Sequence, residues 1–328
     1  MSKKATVRWG IIGCGDVTEL KSGPAYNLIE GFELVAVMRR NILKAEDYAK
    51  RHHIRKFYGD AEALINDPEI DAVYIATPPD THAFYAMKVA RAKKPCCIEK
   101  PMAPSYQECL DICSAFEEQN LPLFVAYYRR SLPKFDKVKV WLKEGRIGEI
   151  RSIHWTLQKP PSKIDLSGDY NWRTDVNVAP GGYFDDLASH GLDLFSYYLG
   201  TIRSAQGVSS NQQGLYSGLD NVSASWMHEN GVSGTGSWNF GTFKKEDKVT
   251  ITGSKGRIEF SIFENDPLVL ETDAGRDTWN IEHPTHVQLH HVQFMRDQLF
   301  NKDFIHPSTG KTALHTSWVM DKILGKIK

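Results

Sequence analysis

The stretch Val7-Arg8-Trp9-Gly10-Ile11-Ile12-Gly13-Cys14-Gly15-Asp16-Val17-Thr18 decides how the first part of the chain is read. Its apolar opening predicts a buried strand over 7–12, and the pattern after it predicts a helix over 16–29. Gly13 and Gly15 fill the first two glycine positions of a dinucleotide fingerprint. The first permits a tight turn, and the second lets the backbone approach a pyrophosphate at the start of the next helix, which Asp16 and Val17 open. The third position holds Thr18, so the match is partial. A plain strand-to-helix turn is the alternative reading.

Outward from this turn, a second strand over 33–38 ends in Met38-Arg39-Arg40. A site that prefers NAD(H) usually carries Asp or Glu there, to accept hydrogen bonds from the ribose 2′-hydroxyl. This chain has no acid at that point. A pair of arginines suits a 2′-phosphate, so NADP(H) is expected in preference to NAD(H). Solvated loop charges are the other reading of Arg39 and Arg40.

The pattern continues with a helix over 42–52, a strand over 72–76 stopped by Thr77-Pro78-Pro79, a helix over 82–92 and strands over 95–98 and 123–126. Strands alternating with helices predict an α/β fold with a doubly wound parallel sheet of Rossmann type. After Arg130 the texture changes. A helix over 133–144 and a strand over 151–158 lead into a Pro/Gly/Asp-rich stretch, and a helix begins near 185. Glycine-punctuated strands over 222–228, 231–240, 249–252 and 258–263 predict a large, open, mostly antiparallel sheet in an α+β domain. Helices over 286–299 and 308–323 close the chain. The expected division is a dinucleotide-binding domain over 1–126 and a substrate-binding and oligomerisation domain over 127–328.

The 328 residues carry 40 basic and 40 acidic side chains, with 41% hydrophobic and 24% charged residues. That composition suits two ordinary globular domains and excludes disorder as the main state. Balanced charge gives no reason to expect nucleic acid or an anionic membrane as partner. No apolar run approaches the ~20 residues of a membrane helix. Five cysteines make a poor disulfide framework, and the start of the chain reads as leaderless, so a cytoplasmic protein with reduced thiols is expected.

Two further motifs bear chemistry. Glu99-Lys100-Pro101 follows a strand at the sheet's carboxyl edge, where ligands of open α/β sheets bind. Taken alone, Lys100 also reads as an exposed loop lysine. Pro180-Gly181-Gly182 precedes Asp186, His190 and Asp193, spaced to share one helix face. An imidazole with a pKa near ~6.5 beside a carboxylate can move a proton at working pH. A helix-packing histidine or a metal-binding pair fits the same spacing.

Together, Gly13-x-Gly15, Thr77-Pro78-Pro79-x-x-His82, Glu99-Lys100-Pro101 and Gly181-Gly182 through Asp186-x-x-x-His190-x-x-Asp193 resemble the glucose–fructose oxidoreductase/inositol dehydrogenase (Gfo/Idh/MocA) family. The resemblance implies a Rossmann domain binding NAD(P), an open-sheet substrate domain, and hydride exchange at a hydroxyl-bearing carbon of a sugar, polyol or related molecule. It implies Lys100, Asp186 and His190 as the catalytic set, with Lys100 also touching the cofactor ribose and His190 the preferred acid/base. Thr77, Pro78, His82, Glu99 and Pro101 join the cofactor contacts, Pro101 following a cis bond. Tyr128 and Arg129 become substrate contacts with Lys100, Asp186 and His190. The expected partners are a small hydroxylated or carbonyl substrate and a second copy of the chain, as a homodimer or homotetramer. An NAD(P)-binding regulator without turnover and an NAD-using glycosidase with an internal redox cycle are the alternatives.

No metal is expected. Cys109 and Cys113 lack partners for a zinc site, and His283, His286, His290 and His291 lack acidic ligands. The histidines read as dimer or domain contacts. Trp155, Trp172, Trp226 and Trp238 read as core or sugar-stacking residues.

Overall fold

The structure is a computed structural model that describes residues 6–327. The leaderless reading falls on residues 1–5, outside the described residues. The chain divides into two compact units, Met1–Leu132 with Pro284–Leu314, and Pro133–His283 with His315–Lys328. The first boundary falls at 132/133, six residues beyond the expected 126/127, and 284–314 returns to the first unit.

The first unit runs through β1 (Val7–Ile12), α1 (Asp16–Leu20), α2 (Ala25–Leu28), β2 (Phe32–Met38), α3 (Ile42–Arg51) and β3 (Lys56–Tyr58). It continues through α4 (Ala61–Ile65), β4 (Ala72–Ile75), α5 (His82–Arg91), β5 (Cys96–Ile98), α6 (Tyr106–Glu118) and β6 (Leu123–Val125). Its six strands are all parallel, in the order β3-β2-β1-β4-β5-β6. Order reverses between β1 and β4, which is where ligands of such sheets bind. Both faces are covered: Trp9 and Ile11 pack with Tyr26 and Phe32 on one side, Ile12 and Ile75 with Ala86 and Val89 on the other. Doubly buried strands read as continuous apolar runs, which is why β1, β2 and β4 stand out in the sequence.

The second unit contains α7 (Pro133–Lys143), β7 (Ile150–Gln158), α8 (Lys163–Ser167), α9 (Tyr183–Leu199), β8 (Ile202–Ser210), β9 (Asn221–His228) and β10 (Ser233–Asn239). Then come β11 (Glu246–Gly253), β12 (Gly256–Phe260), β13 (Leu268–Thr272) and β14 (Gly275–Trp279). These form one eight-stranded sheet, β14-β13-β12-β11-β7-β10-β9-β8. Every pairing is antiparallel except β7 with β10. Along β7, Ile153, Trp155 and Leu157 are buried while His154 is exposed, the alternation of a sheet with one covered face. The covering helix is α9. Gly191 sits so close to Trp155 that a Cβ there would lie 2.3 Å from the indole. Trp155, Trp226 and Trp238 are core residues, with Trp155 and Trp238 ring centroids 5.4 Å apart.

The chain then rejoins the first unit as α10 (Leu289–Phe300), which buries Val292 and Met295 in that core, before α11 (Gly310–Ile323). Ser308 Oγ donates to the Val125 carbonyl at 2.7 Å and Phe124 bridges Thr309, fixing the return. Within this segment His291 is buried with its Nε2 3.9 Å from Cys97 Sγ, so it is a core residue and no surface contact. The five cysteines are free thiols. The single helix expected over 16–29 is two, because Ser22-Gly23-Pro24 interrupts it. At Gly23 a Cβ would lie 2.3 Å from the Thr18 carbonyl oxygen. Among the described residues no helix is long and apolar enough to cross a membrane.

Gly191→Val should drive two methyls into the Trp155 ring and lower stability by about 1–3 kcal/mol or more, read as a shift of the urea-unfolding midpoint. An unshifted midpoint would show that α9 does not pack this closely.

Candidate active site

The carboxyl ends of β1, β2 and β4 meet at one cleft of about 390 Å³. Gly13, Cys14 and Gly15 form its floor, and Thr77 and Pro78 stand on one side. Gly13 has φ +92°, and a Cβ there would lie 2.7 Å from Thr77 Cγ2 and 2.9 Å from the Ala76 carbonyl carbon. Gly15 has only one atom, a backbone oxygen at 3.9 Å, near where its Cβ would be. One glycine is thus required by the fold, and the other leaves room for a ligand. Thr18, in place of the third glycine, is fully buried and donates its hydroxyl to the Gly15 carbonyl at 2.8 Å. Its own carbonyl accepts from Tyr48 Oη at 2.7 Å. Threonine is tolerated because its hydroxyl is satisfied within the turn. Asp16 and Val17 open α1, with Asp16 exposed.

The opposite side of the cleft is cationic. Arg39, Arg40 and Lys44 line it beside Asn41, and no carboxylate is among its lining residues. Arg39 is steadied by donating from its guanidinium to the Cys14 carbonyl at 3.2 Å. Lys44 was not singled out from the sequence. It lies in the first turn of α3, whose N-cap Asn41 accepts from the Lys44 backbone N–H at 3.2 Å, so the cap sets where that ammonium emerges.

Two expected cofactor contacts turn inward instead. His82 is fully buried, with Nε2 2.7 Å from the Thr77 carbonyl and Nδ1 3.0 Å from the Pro101 carbonyl. Burial lowers its pKa, against the pull of those carbonyls. The ring ties the Thr77 turn to the Pro101 turn and has no nitrogen left for a ligand. Glu99 is buried, its Oε1 accepting from Tyr74 Oη and Gln288 Nε2, both at 2.6 Å. Its Oε2 accepts from the Lys100 backbone N–H at 3.1 Å, so Glu99 positions Lys100. Gln288 comes from the returning segment, which is why sequence spacing could not reveal this network. The Lys100–Pro101 bond is cis. Tyr128 and Arg129 sit in a 3-10 turn, Tyr128–Ser131, with the Arg129 guanidinium 5.0 Å over the Tyr128 ring and donating to its hydroxyl at 3.2 Å.

In the second unit α9 presents Asp186 and His190 on one face. Gly182 starts the helix at φ +63°, and a Cβ there would lie 2.0 Å from the Leu219 carbonyl oxygen. Asp185 turns back to accept from the Gly181 N–H at 2.8 Å, and burial raises its pKa. Asp186, also buried, accepts from Arg173 Nε at 2.7 Å. His190 is 4% exposed and meets Phe263 edge to face at 5.7 Å. Arg173 is a residue the sequence reading missed. Its signal was a cation in the polar stretch before the Gly181-Gly182 turn, which spacing alone does not link to Asp186. A buried carboxylate needs such a partner to remain charged, and the pair also fixes the carboxylate's direction.

A glycine-cradled, cation-walled cleft at the switch point of a parallel sheet defines an NAD(P)-binding Rossmann fold, and the comparisons agree. Residues 7–127 match the oxidoreductase family with an NAD-binding Rossmann fold, and residues 135–259 match the GFO/IDH/MocA C-terminal domain. The chain belongs to the Gfo/Idh/MocA family of oxidoreductases. It is 37% identical over 286 residues to Oxidoreductase P35 of Formosa agariphila, covering 87% of this chain and 88% of that one. A levoglucosan dehydrogenase of Pseudarthrobacter phenanthrenivorans is 31% identical over 166 residues, 51% of this chain and 42% of that one. A solved levoglucosan dehydrogenase, in complex with NADH and levoglucosan, superposes with a TM-score of 0.85 at 23% identity. The match covers 98% of this chain and 96% of that one.

Gly13→Ala should force a side chain into the Ala76–Thr77 backbone at a disfavoured φ. Nicotinamide-fluorescence titration should then give a Kd for NADPH raised ~10-fold or more. Retained affinity would mean that the turn does not form the cradle.

Proposed function

We propose that this chain is an NADP(H)-dependent dehydrogenase or reductase acting on a hydroxyl-bearing carbon of a sugar, polyol or related small molecule. The first unit holds the nucleotide, and the second supplies substrate recognition and the surface for a homodimer or homotetramer. The observation carrying the cofactor choice is the cleft wall of Arg39, Arg40 and Lys44 without a carboxylate. An NAD(H) site would place an acid there, whereas guanidinium and ammonium donors match a 2′-phosphate. Thr77 and Pro78 face the same cleft and join Gly13, Gly15, Asp16 and Val17 as cofactor contacts.

The nicotinamide, when bound, supplies the two-electron hydride acceptor or donor. The residues of the chain then have proton and positioning tasks. Lys100, its backbone held by Glu99, would donate a hydrogen bond to the substrate oxygen and to the cofactor ribose. His190 would accept the hydroxyl proton during oxidation and return it during reduction. Asp186, aimed by Arg173, would accept from a substrate hydroxyl and keep the reacting carbon in place. Tyr128 and Arg129 are assigned to the substrate as well. The 31% identity to a levoglucosan dehydrogenase supports a sugar-like substrate.

Arg39→Asp should weaken NADPH binding ~10- to 100-fold, the value of one or two charge-assisted bonds, while NADH binding holds or improves. Equal affinities of the unaltered protein for the two cofactors would defeat the NADP(H) assignment. For the chemistry, Lys100→Ala and His190→Ala should each slow single-turnover hydride transfer ~100-fold or more with the cofactor still bound. Full-rate transfer in both variants would remove these residues from the mechanism.

A further inference from the structure

Lys159, the first residue beyond β7, has no assigned task so far. Its backbone is fixed: the N–H donates to the Asn239 carbonyl at 3.0 Å, and the carbonyl accepts from Thr242 N–H at 3.3 Å. The ammonium lies 3.5 Å from the centre of the Tyr183 ring and 5.5 Å from that of Phe240. Tyr183 is itself held, donating to Asp165 at 2.6 Å and accepting from Asn171 at 3.0 Å. It lies three residues before Asp186 on α9, hence on the same face. Lys159 is thus a preset, half-buried cation beside the residues assigned to the substrate.

The charges around it are unevenly matched. Burial lowers the pKa of the ammonium, Arg173 and Lys245 add to that, and Asp165 and Asp186 are near enough to favour the charged form. Arg173 is already taken by Asp186. Among the described residues no acceptor is within hydrogen-bond or ion-pair distance of the Lys159 ammonium. It has three N–H donors, and its near contacts are the ring faces of Tyr183 and Phe240. Three cations, Lys159, Arg173 and Lys245, face two carboxylates, Asp165 and Asp186, and this excess of one positive charge suits one added negative charge. A phosphate dianion would face Asp165 and Asp186 with two.

We propose that Lys159 is a specificity-determining residue that binds a carboxylate of the substrate, so that the enzyme favours acidic sugars such as hexuronates over their neutral counterparts. This rests on the reading of Asp186 and His190 as substrate-facing. The carboxylate accepts from the ammonium, and the rest of the sugar reaches Asp186 along the same face of α9.

The test compares D-glucuronate with D-glucose and D-galacturonate with D-galactose, by NADP+ reduction and by titration calorimetry, with the unaltered protein, Lys159→Met and Lys159→Arg. The unaltered protein should favour the uronates ~10-fold or more in kcat/KM. That ratio should collapse toward one in Lys159→Met, whose stem still covers Tyr183, and be largely kept in Lys159→Arg. A ratio of one or below in the unaltered protein, or an unchanged ratio in Lys159→Met, overturns the carboxylate site and leaves the dehydrogenase reading standing. If neither sugar class is oxidised, the dehydrogenase reading falls, and calorimetry decides Lys159 separately. Tighter uronate binding that Lys159→Met abolishes supports it, and no preference overturns it. Preference for D-glucose 6-phosphate over D-glucuronate also overturns the carboxylate assignment.

Discussion

Where β1 passes β4, the α-carbon of Gly13 lies against the Ala76 and Thr77 backbone with no room for a side chain, and its φ of +92° is open to glycine at little cost. The nucleotide end of the molecule follows from that close approach. The N–H groups of Gly13 and Cys14 both donate to the Met38 carbonyl, at 2.9 and 3.2 Å, so the turn is tied to the end of β2 as well as pressed on β4. Three stretches far apart in sequence, around Gly13, Arg39 and Thr77, therefore wall one cleft. His82 extends the arrangement inward, bridging the carbonyls of Thr77 and Pro101. One buried ring thus couples the cleft wall to the turn that carries Lys100.

A comparable constraint organises the second unit. With hydrogen at Gly191, α9 can sit directly on the Trp155 indole, and the neighbouring contact of Phe184 with Trp238, at 5.0 Å, extends the seam. The helix entry is set by Gly182 pressed on the Leu219 carbonyl. With both the start and the rotation of the helix fixed, Asp186 and His190 have no freedom to turn away as a unit. The pairing with Arg173 at 2.7 Å restricts what freedom remains to the Asp186 carboxylate, which is itself buried.

The parallel sheet was legible because its strands are buried on both faces and so read as apolar runs, and because Gly13 and Gly15 punctuate the first of them. Short elements were not. β3 spans three residues and α4 five, too few for a periodicity to declare itself. The return of 284–314 to the first unit was invisible for a different reason: local patterns specify that α10 is a helix, and only tertiary contacts such as Ser308 with Val125 specify what it packs on. The same limit explains the site. Motif residues were found by spacing, whereas Arg173 and Gln288 matter through hydrogen bonds across 13 and 189 residues, and Lys44 through the cleft it lines with Cys14. Glu99 and His82 were marked by their motifs, and both prove to be buried and hydrogen-bonded to groups within the protein. A motif marks a residue as needed without saying whether it faces a ligand or the protein interior.

The cationic groups of the two units sit in different dielectric surroundings, and this bears on what each can recognise. Arg40 and Lys44 are exposed, with Arg39 partly so. Charges there are well hydrated, and their attraction for an anion is screened over about a Debye length of ~8–10 Å. Such a wall gains most from a multiply charged group able to engage several donors together, which is what a 2′-phosphate offers. Lys159 and Arg173 are partly withdrawn from water, and each is set against an aromatic ring, Tyr183 at 3.5 Å and Trp172 at 4.3 Å. Electrostatic interactions are stronger in that setting, but so is the cost of any unmatched charge. Selectivity there depends on the match of single charges. Arg173 has met its match in Asp186, and the same requirement makes the neighbouring Lys159 sensitive to whether an incoming molecule brings one negative charge, two or none.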